Sequence, residues 1–128
     1  MEAQCAMAPV TLTVPATPCF ARLVRMTAAN VAMLSSMSVD RVEDIRMAAE
    51  EAFIYSCVTE QGRDLSIRFA VDESHIEMTF ELGDVSFADP VGEDHPAAYT
   101  DLILASVCDV YEKREGPAAL HLELRADV

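Results

Sequence analysis

The chain has 128 residues, which is enough for one domain with a substantial buried core. Hydrophobic residues make up 52% of it and charged residues 24%, a mixture typical of a folded globular protein and not of a disordered tail. Its 22 acidic and 9 basic residues give a formal net charge of −13, which disfavours binding to nucleic acid or to an anionic membrane.

The first predicted elements are a strand and a helix. Residues 9–15 alternate between apolar and polar side chains and begin and end with proline, which indicates a short strand at the edge of a sheet. Thr17 and Pro18 then resemble a helix N-cap followed by proline at the first helical position. The residues that this helix would bury, at helical spacing, are Phe20, Leu23, Val24, Thr27, Val31 and Leu34.

A second helix is predicted from Ser38 or Asp40 to near Gly62, where the glycine would end it in a left-handed conformation. Asp40 and Glu43 have the spacing of a capping box at its start. Its predicted buried stripe consists of Val42, Ile45, Ala49, Ala52, Phe53 and Ser56. The small alanines in this stripe indicate close packing against a sheet or another helix.

An antiparallel hairpin is predicted next. Residues 65–71 and 76–80 both alternate between apolar and polar side chains, and the polar residues 72–75 between them form the turn. Residues 83–96 contain two glycines, two prolines and four acids, so they are predicted to form a loop.

The C-terminal part is predicted to contain a third helix, from about Ala97 to Arg114, and a last strand at residues 119–124. The predicted inward face of this helix consists of Leu102, Ile103, Ser106, Val107 and Val110. The order is then β-α-α-β-β-α-β. We expect an α+β fold: one domain spanning residues 1–128, built as a two-layer α/β sandwich with a mixed β-sheet and helices on one face.

Several familiar kinds of site are absent from the sequence. The glycines are at least nine positions apart, so the chain has neither a Walker loop nor a Rossmann fingerprint. The four cysteines are widely spaced, without a CxxC pair, and lie beside apolar residues, as buried free thiols do. The three histidines do not cluster with them in the sequence, so no metal site is predicted. These residues are Cys5, Cys19, Cys57, Cys108, His75, His95 and His121.

The sequence also indicates where the protein would be found. Its first fifteen residues lack a basic start followed by a long apolar run, so a signal peptide is not expected. No apolar stretch reaches the ~18 residues that a membrane helix needs. We therefore expect a cytoplasmic, reduced protein with no membrane or nucleic-acid partner.

Residues 43–60 read EDIRMAAEEAFIYSCVTE and resemble the nucleotide-binding helix of the anti-sigma-factor serine kinases, small members of the histidine-kinase-like ATPase superfamily. The family pattern is E-D-[hydrophobic]-[basic]-[hydrophobic]-A-x-x-E-A-x-x-N-x-x-x-H. The residues that match it are Glu43, Asp44, Ile45, Arg46, Met47, Ala48, Glu51 and Ala52. Residues 14–16 and 20–27 and the order of elements also resemble the family, over nearly the whole chain. The resemblance implies a histidine-kinase-like ATPase fold.

The chemistry that the resemblance implies is altered at two positions of this helix. In the family, a glutamate polarises the attacking hydroxyl and an asparagine four positions later coordinates Mg²⁺. Glu51 matches the glutamate, but Tyr55 replaces the asparagine and Thr59 replaces a later histidine. A phenol with a pKa of ~10 is a poor neutral ligand for Mg²⁺. Glu51 is then either a vestigial catalytic base or an ordinary surface carboxylate. Tyr55 either fills the vacated adenine or metal region or belongs to the core.

The other two nucleotide motifs of the family are altered as well. Its adenine-binding D-x-G corresponds to Glu81, Leu82, Gly83 and Asp84, in which the acid and the glycine stand in the wrong order. Its phosphate-binding G-x-G corresponds to residues 100–105, which contain no glycine and include a carboxylate. The resemblance therefore implies a degenerate member that has lost nucleotide binding and needs no cofactor.

The charges are distributed unevenly along the chain. Residues 1–39 carry one acid and two arginines, net +1, whereas residues 40–128 carry the other 21 acids and seven basic residues, net −14. Those two arginines are Arg22 and Arg25, and Arg22 lies where the resembling family contacts its sigma factor and antagonist. They either bind a protein partner or make the outer side of an amphipathic helix soluble.

The leading hypothesis is an anti-sigma-factor-like regulatory protein that acts by protein–protein binding and is not an enzyme. Its partner would be a sigma factor or an anti-anti-sigma factor, and its apolar N-terminal segment would dock that partner or form a homodimer. One alternative is an active ATP-dependent serine kinase with divergent motifs, which would use Mg-ATP and Glu51. Another is a small-molecule sensor whose ligand occupies the former nucleotide cleft near Tyr55.

Overall fold

The structure is a computed structural model that describes residues 9–60, 62–83, 87 and 96–128. The strands in these ranges are β1 (Val10–Pro15), β2 (Asp64–Val71), β3 (His75–Gly83), β4 (Val110–Arg114) and β5 (Ala118–Arg125). The helices are α1 (Ala21–Ala32), α2 (Val39–Glu60) and α3 (Pro96–Val107), and a short 3₁₀ turn at Pro18–Phe20 precedes α1. The five strands form one sheet in the order β1-β2-β3-β5-β4.

The fold is α+β, as expected, but the sheet is antiparallel between every pair of neighbours, so the predicted mixed sheet is wrong. The helix predicted from Ala97 to Arg114 is also wrong in length, because α3 ends at Val107 and β4 follows it. The Asp109 N–H donates to the Glu123 carbonyl at 2.9 Å, which begins the pairing with β5. Hydrogen bonds between β4 and β5 thus replace the helical hydrogen bonds that the sequence pattern alone favours for these residues.

The core lies between the helices and one face of the sheet. Alternate residues of the three central strands are buried on that face, and they include Ile67, Phe69, Met78, Phe80, Leu120 and Leu122. Helix α2 contacts α1, α3 and the sheet. Its predicted stripe is confirmed: Val42 is half-buried, and the other five residues are buried. Burial of apolar side chains from both layers is the main contribution to the stability of the fold. It amounts to about 25 cal/mol for each Å² of apolar surface removed from water.

The buried side of α1 matches the prediction only in part: Val24 and Val31 are buried as predicted. Its buried residues are Val24, Ala28, Val31 and Ala32. Leu23 and Leu34, which were predicted to face inward, are 45% and 47% exposed. Two of the four buried residues are alanines, and α1 packs against α2.

The ends of α2 are fixed by residues on both sides of it. Ser38 is the residue before the helix, and its Oγ accepts a hydrogen bond from the Arg41 N–H at 3.0 Å. The Ser38 N–H in turn donates to Asp127 Oδ1 at 2.9 Å, which ties the C-terminal segment to the start of α2. At the other end Gly62 has φ +82°, as predicted for a left-handed cap. Thr17, by contrast, makes no side-chain capping bond at the 3₁₀ turn.

The second face of the sheet carries no helix among the described elements and is polar. Successive residues of a strand point to opposite faces, so the alternate positions of β3 and β5 present histidines, acids and threonine on this open face. None of the helices in the described ranges is both long and apolar enough to cross a membrane.

Three of the cysteines are described, and all are free thiols. Cys19 is exposed, Cys57 is buried and Cys108 is half-buried. Burial raises the pKa of the Cys57 thiol to about 11 and that of Cys108 to about 12. Because the thiolate is the nucleophile, the two inner cysteines should react slowly in the folded protein.

A brief pulse of iodoacetamide near neutral pH should label Cys19 well before Cys57 or Cys108. Each unit of raised pKa lowers the thiolate fraction about tenfold, and burial further restricts access of the reagent. Peptide mass spectrometry of the quenched samples measures the three rates separately. The control is the same pulse in denaturant, where the three rates should converge, and rapid labelling of Cys57 in the folded protein would contradict the prediction.

Candidate functional site

The residues that resemble the kinase helix lie on different sides of α2. Glu51 is half-buried and lines a shallow groove of about 250 Å³ beside α1. Two ion pairs border this groove: Arg25 Nη1 donates to Glu50 Oε1 at 2.9 Å, and Arg46 Nη1 donates to Glu43 Oε2 at 2.6 Å. Burial and the neighbouring charge of Glu50 raise the pKa of the Glu51 carboxyl. The groove therefore contains a carboxylate that holds its proton more readily than usual.

Tyr55 lies one helical turn after Glu51 and is only 8% exposed. Its ring centroid is 6.4 Å from that of Phe87, and Lys113 Nζ lies 5.5 Å from the centroid of each ring. Cation–π attraction of this kind favours a packed arrangement of the three side chains. The space next to Tyr55 is thus occupied by side chains of the protein itself.

Asp101 of α3 and Tyr111 of β4 belong to the same group of packed side chains. Asp101 accepts hydrogen bonds from the Tyr111 hydroxyl at 2.7 Å and from Lys113 Nζ at 2.8 Å. We call the five residues Tyr55, Phe87, Asp101, Tyr111 and Lys113 the Tyr55 cluster. Burial raises the pKa of both tyrosine hydroxyls, and the charge of Asp101 raises it further, so both phenols are neutral near pH 7. Neutral phenols are poor ligands for Mg²⁺.

The remaining positions of the altered nucleotide motifs are dispersed. Thr59 donates its hydroxyl proton to the Tyr55 carbonyl at 3.1 Å, which is an ordinary helix contact. Leu82 is fully buried in the core. Gly83 ends β3 with φ +73°, and Glu60 Oε1 lies 3.7 Å from the place where a Cβ would stand. Asp84 lies outside the described residues.

The two arginines of the N-terminal part have different surroundings. Arg25 is held in its ion pair with Glu50 and joins α1 to α2. Arg22 is exposed on α1 and, within the described ranges, forms no ion pair. Leu23 and Met26 beside it are 45% and 44% exposed. Arg22 thus stands next to two apolar side chains that the described part of the chain leaves exposed. We call Arg22, Leu23 and Met26 the α1 surface.

The structure also brings together residues that the sequence pattern had left apart. On the open face, His75 and His121 lie beside Glu77 and Glu123, and we call these four residues the His–Glu cluster. Both halves have the form His-x-Glu on a strand, which places the two side chains of each half on one face. That repeated spacing was the signal in the sequence, but the pairing of β3 with β5 was needed to join the halves. His95 lies outside the described residues.

A second open groove, of about 520 Å³, adjoins this cluster at Thr79. Its two arginines are already paired, because Arg68 Nη2 lies 3.0 Å from Glu81 Oε2 and Arg114 Nη2 lies 3.0 Å from Glu112 Oε1. Paired guanidinium groups offer little net positive charge to an anion, so this groove is not a strong candidate for phosphate or carboxylate binding.

No protein-family model matches the chain, and no curated protein is significantly similar to it. The resemblance of residues 43–60 to the anti-sigma-factor serine kinases therefore stays a prediction.

Proposed function

We propose that the chain is a regulatory protein of the anti-sigma type that acts by binding another protein and does not use nucleotide. The observation that supports this proposal is the Tyr55 cluster. In the resembling kinases, the position of Tyr55 would hold the asparagine that coordinates Mg²⁺. Here that position carries a buried neutral phenol packed against Phe87 and Lys113.

The charge of the cluster also argues against bound nucleotide. Asp101 lies in the stretch that would correspond to the phosphate-binding motif, and Lys113, the cation near it, is already paired with it at 2.8 Å. A triphosphate brought to this position would meet the carboxylate of Asp101, and the lysine beside that carboxylate is already engaged in the ion pair. Both effects raise the free energy of a bound Mg-ATP complex.

The α1 surface is the surface that we assign to the protein partner. Exposed Leu23 and Met26 provide apolar contact area, and methionine adapts well to differently shaped partners. Arg22 adds a charge that would pair with a carboxylate of the partner. A sigma factor or an anti-anti-sigma factor is the class of partner that the sequence resemblance implies. The acidic remainder of the chain would attract basic segments of that partner and so increase the association rate.

Calorimetric titration of the full chain with Mg-ATP is expected to give no saturable heat at micromolar concentrations. The reason is that the Tyr55 cluster occupies the region, that a phenol replaces the asparagine ligand, and that Lys113 is already paired with Asp101. A Tyr55→Asn variant is the useful companion, because it restores the ligand type but leaves Asp101 in place. Binding of Mg-ATP by the unmodified chain in the micromolar range would contradict the proposal and favour the active serine kinase.

An Arg22→Glu variant is expected to weaken capture of the partner at least tenfold, because it reverses the one charge of the α1 surface. The assay is surface-based binding with the sigma factors and anti-anti-sigma factors of the source organism, purified one at a time. Arg63→Glu is the matched control, since Arg63 is an exposed arginine in the turn before β2.

Both variants should unfold within ~0.5 kcal/mol of the unmodified chain, because each changes an exposed side chain. If a partner binds and Arg22→Glu retains full affinity, the α1 surface is not the binding surface. If none of these purified partners binds, the anti-sigma proposal itself is wrong.

A further inference from the structure

The His–Glu cluster lies on the two central strands of the sheet, on the open face. Glu77 of β3 is directly opposite Glu123 of β5, and Thr79 is opposite His121. His75 is two residues before Glu77, and His121 is two residues before Glu123, so all four side chains leave the same face. Two regular strands thus bring two imidazoles and two carboxylates to one place.

The potential ligand atoms of the cluster converge. His75 Nε2 is 2.9 Å from Glu77 Oε2, and His121 Nε2 is 2.9 Å from Glu123 Oε2. His121 Nε2 is also 3.7 Å from Glu77 Oε1. One ligand atom each from His75, Glu77 and Glu123 can be chosen so that all three lie within 4.8 Å of one another. Glu77 therefore stands between the two imidazoles, with one oxygen facing each.

The second ring nitrogen of each histidine, Nδ1, also has a hydrogen-bond partner, which orients the ring. His75 Nδ1 is 3.0 Å from Asp72 Oδ1, and His121 Nδ1 is 3.0 Å from Thr79 Oγ1. Asp72 is itself held by the N–H groups of Ser74 and His75, at 2.8 and 3.0 Å. Histidines that bind a metal through Nε2 are commonly held in this way by an acceptor at Nδ1, which fixes the ring and its tautomer.

The burial and charge of the cluster point to a bound cation. The His121 side chain is only 3% exposed, so its Nε2 is held against the carboxylates and away from bulk water. Within the described residues, the ion-pair partners of Glu77 and Glu123 are imidazoles alone. Two carboxylates directly opposite each other on neighbouring strands repel. A divalent cation bound between them would relieve that repulsion.

We propose that His75, Glu77, His121 and Glu123 bind one Zn²⁺ ion, through the two Nε2 atoms and one oxygen of each carboxylate. Imidazole and carboxylate ligands suit zinc, which binds them at about 2.0–2.2 Å in a tetrahedral arrangement. His75, Glu77 and Glu123 already group within 4.8 Å. Binding would require side-chain rotations, of His121 in particular, that bring all four ligand atoms to separations of ~3.4 Å. With four protein ligands the site is a closed, structural one that links β3 to β5, and it is independent of the proposed partner binding.

Calorimetric titration of the chelator-treated full chain with ZnCl₂ at pH 7.5 tests the site. Cys5 and Cys19 are replaced by serine in every sample, so that thiols do not contribute to the binding. The expected result is one saturable site per chain and an increase in melting temperature when zinc is added, because the metal binds the folded state.

Separate His121→Ala and Glu123→Gln variants should weaken zinc binding at least tenfold and remove the zinc-dependent increase in melting temperature. Glu81→Gln is the matched control, since Glu81 lies on the same face of β3 and pairs with Arg68 outside the cluster. Thr79→Val, which removes the partner of His121 Nδ1, should lower the affinity about 10–100-fold, the usual effect of losing such a contact.

Glu123→Gln keeps the shape of the side chain and removes one of two opposed charges, so this variant should fold at least as well as the parent without metal. Substitution with Co²⁺ gives a second readout, because a tetrahedral site produces strong visible absorption. Absence of saturable zinc binding by the parent overturns the proposal. Binding that is as tight in His121→Ala and Glu123→Gln as in Glu81→Gln overturns it as well.

Discussion

Replacing Leu104 with alanine is expected to lower the free energy of unfolding by about 2–5 kcal/mol. Leu104 is the fully buried leucine of α3, and its removal leaves a cavity between this helix and its neighbours. The matched control is Leu102→Ala on the same helix, where the side chain is 71% exposed. That change should alter the free energy of unfolding by no more than ~0.5 kcal/mol. Urea denaturation followed by circular dichroism measures both.

This comparison tests the structure against the sequence pattern, which predicted that Leu102 lies on the inward face of the helix. Both substitutions exchange the same residue types in one helix, so helix propensity contributes equally to the two values. The difference between them therefore reports burial. A larger loss for Leu102→Ala than for Leu104→Ala would mean that α3 packs against α2 with its other side.

The parts of the fold that the sequence predicted well are those with a strong local pattern. The stripe on α2 repeats over four turns, and the hairpin of β2 and β3 has alternating strands around a polar turn. In each case the residues that bury together are close in the chain, so periodicity alone identifies them. Helix α1 was less well predicted because two of its four buried residues are alanines, which carry a weak hydropathy signal.

The end of α3 could not be predicted from local pattern, because the deciding contact is distant. Val107, Val110 and Tyr111 fit a helical stripe as well as a strand. The pairing of β4 with β5 selects the strand, and Asp109 marks the change by donating its N–H to Glu123. Tertiary pairing of this kind overrides local preference.

The same reasoning explains why the candidate sites differed in how far they could be predicted. Tyr55 was identified by comparison with one short helix pattern, but its neighbours Phe87 and Lys113 come from distant segments. The two halves of the His–Glu cluster are more than 40 positions apart in sequence, as the contact between Glu77 and His121 shows. Only the sheet register brings these halves together.

Replacing Arg41 with alanine is expected to destabilise the protein by about 2–3 kcal/mol. The Arg41 side chain is 15% exposed, and its guanidinium joins the start of α2 to three other parts of the fold. It donates to the Arg125 carbonyl at 2.8 Å, to the Val107 carbonyl at 3.3 Å and to Asp109 Oδ2 at 2.6 Å. Its loss would leave two carbonyls and a carboxylate with one partner fewer, at the junction of α3, β4 and β5.

Arg46→Ala is the matched control, because Arg46 lies on the same helix and pairs with Glu43, whose side chain is 57% exposed. Exposed pairs of this kind contribute ~0–0.5 kcal/mol, so the two arginines should differ by about 2 kcal/mol. The destabilisation caused by Arg41→Lys should lie between those caused by Arg41→Ala and Arg46→Ala. An ammonium group keeps the charge but cannot donate in three directions from a rigid plane.

A double-mutant cycle with Asp109→Ala would separate the ion pair from the two carbonyl contacts of Arg41. Asp109 Oδ2 also accepts the Arg125 N–H at 2.6 Å, so Asp109→Ala alone should destabilise the chain too. We expect a coupling energy of about 1–2 kcal/mol between Arg41 and Asp109, because the two share one hydrogen-bonded network. A coupling near zero, with Arg41→Ala no worse than Arg46→Ala, would mean that this junction does not hold β4 on the sheet. The edge strand that the sequence failed to predict would then depend on its ladder with β5 alone.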